Sequence, residues 1–534
     1  MLLVVVLACS GREAPASAAP SAGRAGSSAA DAAAPAAAGS LEAAGRLASF
    51  PAAGAGRDSA AGSGKLEGAG GSGVGGGRAG QAGVAGSGGM SGTASSGGTS
   101  GTASTGTAGA VAGVVAPGDL IAAPDGKANA PGTLAAPTTL SSALTRIAGG
   151  HTVFLRGGSY AFSVQLTIER DNSGSEAQQK QLAAYANEQP VLDFSGQPYG
   201  TGSNPRGLQI NGSYWHVHGL DIRGSADNGV YVAGNHNIVE RCVMHGNRDT
   251  GLQIGRADSS QSQQADWPSD NLILNCEAYD NYDSPPGAGE NADGFAAKLT
   301  VGPGNVFRGC VSHHNIDDGW DLYTKTDTGP IGAVTIDQCV AHHNGTLTDG
   351  TTNANGDRNG FKLGGEKIAV AHVVTRSVAF ANGKNGFTWN SNPGAIRLSN
   401  ALSFDNVAGN YSFGDSSTPT LAVFTNDVSF YTGGTAHSDK TLGTDTASSN
   451  CWWSTSGSSG SQNAKGLRVS AADFAHSLAN PTLTRAADGS LDLTVFALAQ
   501  GSDLIDAGVV PPGGLPFDVA YYRGLPDLGA VETP

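Results

Sequence analysis

Cys276-Glu277-Ala278-Tyr279-Asp280-Asn281, Cys310-Val311-Ser312-His313-His314-Asn315 and Cys339-Val340-Ala341-His342-His343-Asn344 are three copies of one frame. Another copy precedes them from Cys242 to Asn247, and the frame continues at Ser377 with Asn382 and at Ala401 with Asn406. Further along each copy, glycine is followed by an apolar residue: Gly229-Val230, Gly251-Leu252, Gly294-Phe295, Gly319-Trp320, Gly360-Phe361 and Gly386-Phe387. The shortest glycine-to-glycine intervals are 22 to 26 residues, and longer ones carry polar insertions such as 256–270 and 284–292. A repeat of short alternating strands with Gly and Asn at its corners cannot bury its inner face alone, so copies must stack. The expected fold is all-β: a right-handed parallel β-helix whose equivalent positions form columns about 4.8 Å apart from rung to rung. The leucine consensus of the rival solenoid is absent.

The asparagine column suits a corner, where its amide satisfies turn backbone. The cysteine column leaves two readings, disulfides between neighbouring rungs or a ladder of buried thiols. One cysteine per rung does not make a zinc tetrahedron. His313, His314, His342 and His343 share their slots with Tyr279, Phe380 and Phe404, which points to packing. Leu140, Ala143, Leu144 and Ile147 have helical spacing and predict a short N-terminal helix capping the first rung.

Outside the repeat the chain changes character. Phe50 is the sole aromatic before residue 117, and residues 10–116 are mostly Ala, Gly, Ser and Thr. Such a stretch buries too little to offset its ordering entropy and reads as a disordered tether, which leaves 117–534 for the β-helix. Its Gly75-Gly76-Gly77-Arg78-Ala79-Gly80 matches a dinucleotide fingerprint but lacks the flanking strand and helix. Residues 1–9 read as a signal, since Val6-Leu7-Ala8-Cys9 resembles the bacterial lipobox, which implies lipidation at Cys9. An ordinary cleaved signal is the other reading. Both predict an extracellular or cell-surface protein, with membrane contact only through Cys9. A net charge of −15 over 534 residues argues against nucleic acid as a partner, and a monomer is expected.

Used as a ruler, the glycine column shows what stacks just before it: Asn228, Thr250, Asp293, Asp318, Asn359 and Asn385. Asp293 therefore lies beside Asp318, with Asp317 adjacent. Two residues after the glycine come Tyr231, Gln253, Ala296, Asp321, Lys362 and Thr388. The flanking Trp320, Leu322, Phe361 and Leu363 are apolar and point inward, so Asp321 and Lys362 point outward in one column. Four carboxylates this close must bind protons or a cation. Oxygen donors without His or Cys favour Ca²⁺. Lys362 either pairs with Asp321 or, once Ca²⁺ neutralises the acids, falls in pKa and serves as a base. A base beside Ca²⁺ suits proton abstraction α to a carboxylate, and uronate polymers carry that hydrogen at C5 with a leaving oxygen at C4. Lys298, Lys325 and Arg358 are candidates to hold uronate carboxylates. Tyr323 is a candidate to stack on sugar, and Trp389 fits the core.

Asn291-Ala292-Asp293-Gly294-Phe295, Asp317-Asp318-Gly319-Trp320-Asp321 and Asn359-Gly360-Phe361-Lys362-Leu363-Gly364-Gly365 resemble the polysaccharide lyase family 9 pectate lyases. Ala123-Pro124-Asp125-Gly126, Leu155-Arg156-Gly157-Gly158-Ser159-Tyr160 and Gly524-Leu525-Pro526-Asp527-Leu528-Gly529-Ala530 are similar to the two ends of that fold. The resemblance implies a right-handed parallel β-helix and Ca²⁺-dependent β-elimination of polygalacturonate, an acidic polysaccharide. It matches the calcium aspartates to Asp293, Asp317, Asp318 and Asp321, and the base to Lys362. Two other uses fit the same solenoid: a pectic glycoside hydrolase with paired aspartates as acid and base, and a noncatalytic carbohydrate binder.

Overall fold

The computed structural model describes residues 114–533 except 201–203, 416, 434, 458 and 513–523. The expected signal at 1–9, Cys9 and nearly all of the tether lie outside the described residues. The chain from Leu120 winds into a parallel β-helix of three sheets with twelve, ten and ten strands. Each coil gives one short strand to each sheet. One coil, for example, runs Val306–Arg308, Val311–His313, Trp320–Asp321, and the next begins with Thr335–Asp337. The register follows the glycine ruler: Phe295 pairs with Trp320, Trp320 with Phe361 and Phe361 with Phe387, all inside the coil. Their rings stack with centroids 4.9, 4.7 and 4.7 Å apart, so the rung spacing places aromatic faces in contact along the core. The N-terminal helix forms at Leu140–Arg146 and buries Leu140, Ala143 and Leu144, with Thr139 capping it.

The asparagine column is a hydrogen-bonded ladder. Nδ2 of Asn247, Asn281, Asn315, Asn344 and Asn382 donates to Oδ1 of the next member at 2.9, 2.8, 3.0, 2.9 and 2.9 Å. The glycine column exists because this ladder leaves no room: a Cβ at Gly319 would lie 2.8 Å from Asn344 Nδ2 and 2.5 Å from Gly360 O. Asn344→Ala strands the backbone N–H of Asn315, which donates to Asn344 Oδ1 at 3.3 Å, and removes one acceptor of its Nδ2, at 3.0 Å, which keeps Ala278 O at 3.1 Å. It is expected to lower the unfolding free energy by roughly 3 kcal/mol, read from urea titration. A second ladder, Asn237, Asn271 and Asn305, stands five residues before Cys242, Cys276 and Cys310, and Val334 interrupts it before Cys339. His372 takes over its role, accepting the Val334 N–H at 3.1 Å, and burial pushes its imidazole down to about 3.

The cysteines form the thiol ladder. Cys242, Cys276, Cys310 and Cys339 are free and buried, as is Cys451. Their thiols donate to carbonyls, as Cys276 Sγ does to Val239 O at 3.3 Å and Cys310 Sγ to Ile273 O at 3.4 Å. The histidine slots are packing positions. His245, Tyr279, His313, His342, Phe380 and Phe404 stack in one continuous column outside the third sheet. Beyond residue 419, where the sequence carries no functional signal, the chain completes the last coils. It then returns over that sheet, with Phe474, Phe496 and Leu498 covering Val340, Val378 and Leu402.

Candidate active site

The corner before the glycine column is itself a polar ladder, and two of its members are acids. Asn359 donates its backbone N–H and Nδ2 to Asp318 Oδ1 at 2.7 and 2.9 Å. Asn385 does the same to Asn359 Oδ1 at 3.2 and 3.0 Å. The Asp318 N–H donates to Asp293 Oδ1 at 3.2 Å. An asparagine presents one acceptor and one donor group to such a ladder, whereas an aspartate presents two acceptors. The second oxygens of Asp293 and Asp318 are therefore acceptors left outside the ladder, and Thr250 Oγ1 donates to Asp293 Oδ2 at 3.2 Å. Asp293 Oδ2 meets Lys298 Nζ at 2.9 Å and Asp318 Oδ2 meets Lys362 Nζ at 3.1 Å.

Asp321 and Lys362 stand in register on adjacent strands. Asp321 Oδ2 lies 3.5 Å from Lys298 and 3.6 Å from Lys362. Asp293, Asp318 and Asp321 each bring one carboxylate oxygen within 4.8 Å of the others. Asp317 is buried beside them and accepts the backbone N–H of Asp357. The outward column is thus not solvated: Asp321 and Lys362 are both 4 % exposed. Lys298 is likewise buried within the nest.

Burial dominates the acids. It pushes Asp293 up to about 8, partly offset by Lys298, and Asp318 up to about 6 against the pull of Lys362. Asp317 is raised well above the carboxylate range by burial and by Asp318 and Asp293. Burial opposes charge on Lys362, but Asp321, Asp318, Asp317 and Asp357 outweigh it and hold the ammonium well above its ordinary value. Lys362 is thus a counter-charge to Asp318, Asp321 and Asp357.

Two members reach solvent. Asp357 and Lys384 have side chains 39 % and 42 % exposed, and they pair at 2.7 Å. The other Asp357 oxygen lies 3.2 Å from Lys362. Five carboxylates against three ammonium groups leave a formal charge of −2. Asp321 Oδ1 is buried with no hydrogen-bond partner among the described residues. An all-oxygen donor set, a formal −2 and an orphaned carboxylate oxygen fit a hard divalent cation such as Ca²⁺.

Residues 120–426 match the family model described as the Pel9A-like right-handed β-helix region. The chain is 52% identical over 402 residues to pectate lyase L of Paenibacillus polymyxa, covering 75% of this chain and 86% of that one. The family is thereby decided. The chain belongs to the polysaccharide lyase family 9 pectate lyases. Pectate lyase L of Dickeya dadantii is 33% identical, with 77% and 89% of the two chains covered. The crystal structure of pectate lyase Pel9A superposes with a TM-score of 0.63 at 30% identity, covering 78% of this chain and 96% of that one.

In this family 9 pectate lyase the remaining predicted residues separate. Lys325 lies in a turn near Glu366. Arg358 sits at the corner with φ of 60°, and its stem lies over Gly345 and Gly383. The Tyr323 ring flanks the nest, its centroid 5.4 Å from Lys362 Nζ. Trp389 is in the core. Asp357 and Lys384 escaped the sequence reading. Asp357 ends a polar insertion that does not follow the repeat, and Lys384 looks like an ordinary turn lysine between two ladder residues.

Proposed function

We propose that the protein cleaves polygalacturonate by Ca²⁺-dependent β-elimination, with Lys362 removing the C5 proton. One observation carries this reading: the Lys362 amine lies within ion-pair distance of Asp318 and Asp321, which converge with Asp293. Asp293, Asp318 and Asp321 would hold the ion, with Asp317 beside them. A bound Ca²⁺ supplies positive charge that binds the uronate carboxylate and lowers the cost of charge building on it. Neutralising those acids would weaken the field that keeps Lys362 protonated, leaving Asp357 at 3.2 Å, so that the Lys362 amine could serve as the base. Lys362 Nζ takes the hydrogen from C5, and the C5–H electron pair becomes the C4–C5 double bond. The C4–O bond breaks, and the departing oxygen keeps its electron pair and takes a proton from water. The ladder holds Asp318 rigid, and Tyr323 limits where the amine can swing. For its location we propose the cell surface or the extracellular space, from the signal-like residues 1–9, with lipidation at Cys9 or cleavage of an ordinary signal as the two routes.

The test is incubation with polygalacturonate with and without Ca²⁺. Ultraviolet absorbance from unsaturated ends that appears only with Ca²⁺ is the expected result. New reducing ends without that absorbance would mean hydrolysis and overturn the reading.

A further inference from the structure

The exposed end of the charged nest contains a contact that neither the ladder nor the acid cluster requires. Asp357 bridges two ammonium groups, Lys362 at 3.2 Å and Lys384 at 2.7 Å. The other acids are fixed by the fold: Asp293 and Asp318 are ladder members, and Asp321 stands in a strand. Asp357 is held through its backbone N–H by Asp317, but its carboxylate belongs to neither ladder nor strand and is 39 % exposed. It ends the insertion 345–358, which leans on the neighbouring insertion through Asn353 and Asn355 donating to Ala288 O, both at 3.0 Å. Lys384 stands opposite that carboxylate. Its backbone is pinned on both sides, its N–H donating to Arg358 O at 2.9 Å and its carbonyl accepting from Ala408 at 2.7 Å. Its side chain is 42 % exposed and stands one coil beyond Lys362. A fixed cation at the mouth thus meets a carboxylate carried on an insertion.

We infer that Lys384 is a specificity-determining residue that binds a carboxylate of the uronate chain, and that Asp357 occupies this carboxylate's place in the free protein. The assignment rests on the lyase reading above. A uronate carboxylate has the same charge and the same two acceptor oxygens as Asp357, so it can replace that side chain against the same ammonium group. A methyl ester has lost the charge and cannot. Lys384 therefore discriminates free acid from ester beside the bond that Lys362 opens, with Asp357 as the internal competitor that a substrate displaces.

The experiment compares initial rates of unsaturated product on polygalacturonate and on highly methyl-esterified pectin. Lys384→Ala is expected to raise KM on polygalacturonate roughly tenfold with kcat within about twofold. The preference for the unesterified polymer should shrink by a similar factor. Lys384→Arg should restore both. A Lys384→Ala enzyme with unchanged KM and unchanged preference overturns the assignment. So does an equal loss on both polymers, which is what a merely structural lysine gives. A wild-type enzyme that makes no unsaturated product overturns the lyase reading itself, and that failure is visible before any variant is made.

Discussion

Lys362→Ala is expected to lower kcat on polygalacturonate by roughly 10³-fold with little change in KM, the signature of a group that acts in the transition state. The informative companion is Lys362→Arg. A guanidinium keeps the positive charge and can still pair with Asp318 and Asp321, but it does not deprotonate near neutral pH. If Lys362 only balanced the acids or steered the polymer, Lys362→Arg would keep much of the activity. If Lys362 takes the proton, Lys362→Arg is as inactive as Lys362→Ala. Thermal unfolding in Ca²⁺ separates this from misfolding, because a folded but inactive variant keeps a cooperative transition. A Lys362→Arg enzyme within tenfold of wild type would remove the base from the mechanism.

Much of the fold was legible because a solenoid writes its geometry into the spacing of residues. The cysteine-to-asparagine interval located one corner, and the glycine located the next strand. Those two marks were enough to place Asp293 over Asp318 and Asp321 over Lys362, which is how they stand. The direction of a side chain within its column was less legible. Spacing alone could not tell a disulfide column from thiols that donate to carbonyls, and it could not show that an outward lysine such as Lys298 folds back to Asp293. Insertions were not legible at all. They leave the coil, so no repeat assigns them a position, and Asp357 reaches Lys362 from such a segment. The second asparagine ladder was readable at a constant interval before Cys242, Cys276 and Cys310, but valine takes that place before Cys339 and a histidine, His372, takes it in the next coil.

The same burial that prepares the acids makes stability depend on pH and Ca²⁺ together. In chelator, the contribution of the nest to the melting temperature is expected to fall as pH rises from about 4 to about 8, against the buried histidines such as His372, whose contribution grows with pH with and without Ca²⁺ alike. Burial raises Asp293 to about 8 and Asp318 to about 6, and it raises Asp317 as well, above an unfolded value near 3.8. At these acids the folded state holds protons that the unfolded chain releases, so their contribution to stability declines with pH across that window. Lys362 is raised above 10.5 and keeps its contribution throughout. Asp357, lowered to about 2 by Lys362 and Lys384 against burial, gains its contribution below the window. Ca²⁺ binds the ionised acids, so its stabilisation grows with pH and reaches about 2.7 kcal/mol at a free concentration of 100 Kd. Asp439, raised to about 7 by burial, lies in a separate cluster around Tyr411 and Trp453 and bends the curve equally with and without Ca²⁺. The difference between the two curves therefore isolates the nest. Asp318→Asn sharpens the test. Asparagine is the ladder's own residue one coil on, at Asn359, so the variant keeps the corner and removes one buried acid. It should melt higher than wild type in chelator at pH 8, gain little from Ca²⁺ and make no unsaturated product. A variant that melts lower in chelator yet still gains fully from Ca²⁺ would show that Asp318 holds the corner together and does not hold the ion.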